Sequence, residues 1–456
     1  MNRKKILLIS YAFPPSPAVG GVRMVNFARN LPAFGFDTWV LTVKEEYIEN
    51  ADTARLGNIE GIRVIRTSKI PKITGLYTRF KRRGMISGNA PLQSAKSSAA
   101  ASAETRVRRV KRFIKSFMML PDGERNWLLP AVTASLRVIR KEGIDCVLTT
   151  CPPYTAHMVG LALKKIAGVK WIADFRDPWM IGAKSCYPTC GLSIKIEKIL
   201  ERQVFSTADM TLFNTINLKD AYKKKYPFVP VNKLVYVPNS FDKKFFAPYR
   251  GIGKYERFTI SYTGSMYMGR TPEPVLKAIR ELIDSGKARP GEIRMNLAGD
   301  CGAVNGRTIS ELVKTYGLDE EIEVSGTIPY SAAIETVGRS HLALLLAPSQ
   351  PYQIPAKVYD YIGVGTPVLA LTGEGATADF INATGAGKAF NPDDITGIKD
   401  FIYGILQEGR QPRLSTGTER LEAENTSREL ASHIRGVVFE ESKSANPILT
   451  QEKTIR

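Results

Sequence analysis

Apolar and polar positions along the chain follow two alternating patterns. Short apolar runs at residues 5–11, 38–43, 146–150, 170–173 and 212–214 read as buried strands, and amphipathic stretches separate them. Residues 22–34 show the helical form, with Val22, Val25, Phe27, Ala28 and Leu31 on one stripe. The second half repeats the scheme. FTISYTGSMYMGRTPEPVLKAI reads as strand, glycine loop and helix, MNLAGD and IEVSGTIPYSAAIETV add another such pair, and LALLLA is a further buried strand. The pattern predicts an α/β chain of two Rossmann-like, doubly wound domains. At 456 residues the chain is too long for one compact core. The expected division is 1–245 and 246–422, with a terminal helix at 423–440 returning to the first domain and a disordered tail at 441–456.

The densest candidate chemistry lies in QPYQIPAKVYDYIGVGTPVLAL, residues 350–371. It reads as a loop bounded by Pro351 and Pro355, a short helix, a break at Gly363 and Gly365, and a buried strand after Pro367. A helix N-terminus favours an anion, and Lys357 in the first turn would add a cation beside it. Asp360, one turn on and on the same face, could accept both hydroxyl protons of a ribose. The same residues also fit a buried connection with a surface Lys and Asp. A second cluster, DFRDPW, leaves the carboxyl end of the strand at 170–173, where open α/β sheets bind ligands, and puts Asp174 and Asp177 around Arg176. An internal salt-bridge network is the alternative there. Gly20 and Gly21 stand directly ahead of the first helix, where backbone can approach a phosphate or a sugar. The spacing is not G-x-G-x-x-G, so a dinucleotide site is poorly supported.

The net charge of +20 changes the picture, since it suits nucleic acid, an anionic bilayer or phosphorylated substrates. Much of it falls at residues 79–118. There RFKRRG, a Ser/Ala-rich stretch and RVRRVKRFIKSFMML suggest a mobile basic insertion and an amphipathic helix, which fits either a membrane surface or a solvated basic face. Aromatic residues for base stacking are sparse in that run, which disfavours nucleic acid. Five cysteines with no C-x-x-C spacing suggest a reducing compartment and neither a disulfide framework nor a zinc site. The apolar run after Arg3, Lys4 and Lys5 is too short for a signal peptide, and no run approaches a bilayer span. A cytoplasmic protein, peripheral on the inner face of the plasma membrane if membrane-bound, is the expectation.

The run PAKVYDYIGVGTPVLAL resembles the nucleotide-sugar motif of the retaining GT-B glycosyltransferases of family four, in which two acidic residues precede an A-x-G-x-P-V tail. Asp360 matches the second acid, and Tyr352 stands at the place of the first. FPPSPAVGGVRMVNFARN is similar to the family's first loop, so Gly20, Gly21 and Arg23 would border the donor diphosphate. VPNSFDKKFF is similar to its hinge, with Ser240 at the glycine place. The family's pair of basic diphosphate ligands would fall in the glycine loop of Gly264, at Ser265 and Arg270. Of these only Arg270 is basic, and Lys357 would supply the second charge. Backbone from Thr327 to Tyr330 would form the base pocket. Many relatives carry a His-Asp pair where Arg176-Asp177 stands here.

The resemblance implies two Rossmann-like domains facing a central cleft and a metal-independent hexosyltransferase with no cofactor. Asp174, Arg176, Asp177, Arg270 and Lys357 would be its catalytic residues. Its partners would be a nucleotide sugar and a glycan or polyprenyl-linked acceptor of cell-surface polysaccharide synthesis, while the basic run leaves an anionic membrane surface open as a further partner and disfavours nucleic acid. A nucleotide-sugar epimerase of the same fold and a non-catalytic polyanion-binding protein are the competing readings.

Overall fold

The computed structural model describes residues 3–439 apart from 53–55, 58, 72–112, 114, 183–189, 268, 349 and 409–415. The basic stretch expected at 79–118 therefore falls almost wholly outside the described residues, as does the tail at 441–456. The chain forms two compact units. One comprises Met1–Leu212, Tyr226–Leu234 and Arg435–Arg456, the other Phe213–Lys225 and Val235–Ile434.

The first unit is built on a seven-stranded sheet of order β3-β2-β1-β4-β5-β6-β7. Its strands are β1 (Lys4–Ile9), β2 (Phe36–Val43), β3 (Arg63–Thr67), β4 (Cys146–Cys151), β5 (Lys170–Phe175), β6 (Met210–Phe213) and β7 (Leu234–Tyr236). β3, in GIRVIRT, was not read from the sequence. Its residues are mostly half-exposed at the sheet margin, so the apolar signal is diluted. β5 runs two residues beyond the expected 170–173, because Asp174 and Phe175 continue the parallel register opposite Thr150 and Cys151. This extension carries Asp174 into the interior. The first helix starts earlier than the apolar stripe, at Gly20, and ends at Asn30, where Pro32 follows in a 3-10 turn, Leu31–Phe34.

The second unit holds β8 (Phe258–Thr263), β9 (Ile293–Ala298), β12 (Ile322–Gly326), β13 (Leu342–Ala347), β14 (Val368–Thr372) and β15 (Gly387–Phe390) in the order β12-β9-β8-β13-β14-β15, every pairing parallel. A two-stranded ribbon, β10 (Ala303–Val304) with β11 (Arg307–Thr308), lies between β9 and β12 in sequence. LALLLA is apolar throughout because both faces of β13 are covered. Leu342, Leu344 and Leu346 enter one core cluster, while Ala343, Leu345 and Ala347 enter the other. In each sheet the strand order reverses once, between β1 and β4 in one unit and between β8 and β13 in the other. Loops leaving such neighbouring strands diverge and open a crevice at the carboxyl ends.

Candidate functional site

In the second unit the loops leaving β8, β9 and β13 converge at that reversal. Gly264 directly follows β8 at φ +135°, a conformation that favours glycine. A Cβ there would lie 1.7 Å from Lys357 Nζ, so the ammonium rests against bare backbone. Gly299, after β9 at φ +122°, packs on Gly264 just as closely, where a Cβ would meet the Gly264 carbonyl oxygen at 2.3 Å. Lys357 opens the helix Lys357–Val364, which ends on Gly365 at φ +81°. Its Nζ lies 4.7 Å from the Tyr262 ring centroid. Burial, with help from the nearby Arg270 charge, lowers the Lys357 pKa to about 8, and Cys301 and Asp360 partly offset the shift. The Arg270 guanidinium sits 4.2 Å from the Tyr267 ring centroid and hydrogen-bonds Tyr262. Tyr262 donates its hydroxyl to the Ser265 carbonyl at 2.7 Å, which braces the glycine loop, while the Ser265 side chain is exposed.

Asp360, one turn after Lys357, accepts a 3.0 Å hydrogen bond from the Tyr330 hydroxyl. Tyr330 stacks on Phe245 with centroids 5.8 Å apart and planes 19° from parallel. Gly264, Arg270, Lys357 and Asp360 are thus brought to one place. Thr327 is exposed in the loop after β12, with β9 between that strand and β8. Tyr352 is half-buried, and its carbonyl accepts from Thr215 Oγ1 at 2.7 Å.

The first unit gathers the other expected residues around Asp174. Arg23 donates from Nε and Nη2 to the Asp174 carboxylate at 2.9–3.2 Å, and both side chains are buried. Thr150 Oγ1 donates to Asp174 at 2.8 Å and itself accepts from Arg176 Nε at 3.0 Å. Arg176 also donates to the Pro152 carbonyl at 2.6 Å. A Cβ on Gly20 would lie 1.8 Å from Arg176 Nη1, and one on Gly21 would lie 3.1 Å from the Ala12 carbonyl oxygen. The group seated over Gly20 is therefore the Arg176 guanidinium. Arg23, read from the sequence as a diphosphate neighbour, is turned inward onto Asp174. Asp174 is enclosed by protein donors, and its ion-pair partner is Arg23 of the first helix. Asp177 is half-buried in the turn after β5.

Sequence reasoning missed Tyr262, Gly299 and Cys301, whose Sγ donates to the Gly264 carbonyl at 3.3 Å, and it placed Tyr330 near the site through its backbone alone. Gly299 and Cys301 had a signal, since GDCG follows a strand as the glycine loop follows β8. The Tyr330 hydroxyl contact with Asp360 had none, because it is purely tertiary. Among the described residues no group of His, Cys, Asp and Glu is arranged to hold a metal ion, and no helix is long and apolar enough to cross a membrane.

No protein-family model matches the chain, and no curated protein sequence does. Solved structures do match its fold. Sucrose-phosphate synthase from Thermosynechococcus elongatus superposes at a TM-score of 0.56 with 16% identity, over 97% of this chain and 98% of that one. A glycosyltransferase from Rickettsia africae gives 0.58 with 12% identity over 96% and 100%. Anabaena HepE, solved in complex with UDP and glucose, gives 0.54 with 11% identity over 97% and 99%. At these identities the likeness is one of fold, and the fold is the double α/β architecture of the GT-B glycosyltransferases.

Proposed function

We propose that the chain is a retaining, metal-independent glycosyltransferase. It would move a hexose from a nucleoside-diphosphate donor to a glycan or polyprenyl-linked acceptor in cell-surface polysaccharide synthesis. The observation that carries the reading is the cradle after β8, where the Gly264 backbone, Lys357 and Arg270 meet and Asp360 stands one helical turn away. Two cations beside exposed backbone suit a diphosphate, and a carboxylate one turn on suits the ribose diol. The HepE complex, in which UDP and glucose occupy a protein of the same fold, supports the donor class. Negative charge grows on the diphosphate as the sugar bond breaks, so the two cations act most strongly in the transition state. In the first unit we assign Asp174 a positioning role through Arg23, Thr150 and Arg176, and give Arg176 and Asp177 the contact with substrate.

Titration calorimetry with UDP and GDP tests the donor site. Asp360→Ala should weaken the binding nucleotide by more than about 1 kcal/mol, the worth of a charged acceptor on a hydroxyl. Unchanged affinity for both nucleotides would remove Asp360 from the site.

The lowered Lys357 pKa adds a pH dependence. An anion binds the protonated ammonium, and this proton leaves the free protein as pH rises through about 8. Nucleotide affinity should therefore be level below that pH and fall above it, levelling off again where Arg270 and the glycine-loop backbone alone hold the diphosphate. Lys357→Arg should flatten the profile, because a guanidinium keeps its proton throughout this range. A wild-type profile that stays level to pH 10 contradicts the contact.

A further inference from the structure

The first unit carries a second cationic site, made of residues given no role above. Between β3, the outermost strand of its sheet, and the helix Leu128–Glu142 runs a groove of about 370 Å³. Trp39, Ile65 and Val138 supply its apolar lining, and Arg63, Arg137 and Lys141, all exposed, supply its cations. The Arg63 guanidinium lies 4.6 Å from the Trp39 ring centroid, which holds it over the groove. The one carboxylate in the lining, Glu142, has an oxygen 3.9 Å from Lys141 Nζ, too distant for a hydrogen bond. Three cations against one carboxylate leave the groove positive, and a positive concave surface draws anions.

We propose that this groove binds the phosphate headgroup of an anionic phospholipid and thereby seats the first unit on a bilayer surface. Two features favour an amphiphile over a free anion or a nucleic acid. The lining mixes apolar side chains with the cations, which suits a phosphate attached to hydrocarbon. At the opposite end of the same two elements, Ile70 just after β3 and Leu129 at the start of the helix stand 45% and 63% exposed. Apolar side chains that face water on the same two elements as the cationic groove fit the interfacial layer of a membrane. The net charge of +20 adds long-range attraction to the same partner.

The test is co-sedimentation of the full chain with phosphatidylcholine vesicles and with the same vesicles doped with phosphatidylglycerol. Wild type should bind only the doped vesicles. The triple variant Arg63→Ala, Arg137→Ala, Lys141→Ala should bind them about a hundredfold more weakly. A control variant removes equal charge from exposed positions of the second unit: Lys223→Ala, Lys224→Ala, Arg289→Ala. It should lose far less. UDP titration of both variants should match wild type, which establishes folding and keeps this result separate from the donor-site reading. Brominated acyl chains should quench wild-type tryptophan fluorescence, and Trp39→Phe should reduce that quenching. Equal losses in the two triple variants would reduce the effect to net charge and overturn the site. It would also be overturned if wild type ignored doped vesicles while glycerol phosphate raised its melting temperature, or if the groove variant lost binding to single-stranded RNA and kept the vesicles.

Discussion

Asp174→Ala should lower the free energy of unfolding by about 3–5 kcal/mol, the range found when one partner of a buried ion pair is removed. The cause is the guanidinium left behind. The Arg23 side chain is 3% exposed, its Nε and Nη2 point at Asp174, and water cannot replace the lost carboxylate without opening the first helix from the sheet. Thr150 loses its acceptor in the same substitution, and through Thr150 the position of Arg176 is also loosened. Urea unfolding followed by fluorescence measures the loss, since Trp171 lies on β5, three residues before Asp174. The double variant Arg23→Met, Asp174→Leu separates charge from packing. It should recover much of the stability, because an apolar pair of similar volume avoids the desolvation that the ion pair incurs. A single variant within about 0.5 kcal/mol of wild type would mean that the pair contributes nothing and that Asp174 is free for chemistry.

Lys357→Ala should lower kcat by about a hundredfold to a thousandfold, the usual effect of deleting one preorganised group that stabilises developing negative charge. KM for the donor should move less, because the ground-state diphosphate keeps Arg270 and the backbone of the glycine loop. Arg270→Ala should follow the same pattern with a smaller effect, since Arg270 is also engaged with the Tyr267 ring and hydrogen-bonded to Tyr262. Steady-state kinetics with a nucleotide-sugar donor decides the matter. If both variants keep wild-type kcat and lose only in KM, the leaving-group role is wrong and the cradle is a plain anion site.

The fold was largely legible because buried parallel strands leave a local signature. LALLLA and VLAL are apolar at every position, as a strand of a sheet covered on both faces requires, and their shortness sets them apart from a buried helix. β3 escaped because RVIRT is a marginal strand with arginines at two of its five positions. In the second unit Lys357 and Asp360 were legible, being one helical turn apart in a stretch with its own loop and glycine stop. The contact of the Tyr330 hydroxyl with Asp360 was not, because the two are 30 residues apart in sequence and nothing local marks it. The first unit shows the opposite failure. DFRDPW and GGVR were read as a charged loop after a strand and a glycine pair ahead of a helix, whereas Asp174 and Phe175 belong to β5 and Gly20 opens the helix; nor could sequence tell that Arg23 and Asp174 face each other. Their partnership spans 151 positions and depends on β5 running two residues further than its apolar run suggests.

The division of the chain between the two units has a consequence for how the protein is made. The first unit receives its last piece from Arg435 onward, where Arg435 donates to the Phe34 carbonyl at 2.6 Å and Lys4 lies 5.3 Å from the Phe439 ring centroid. The amino end of β1 and the entry to β2 therefore wait for the final helix to leave the ribosome. Everything from Val235 to Ile434, including the whole second sheet, is synthesised in between. At about 5–20 residues per second that interval lasts on the order of tens of seconds. A nascent first unit would spend it with its sheet assembled and one corner uncovered, and a chain cut short ahead of Arg435 would never leave that state.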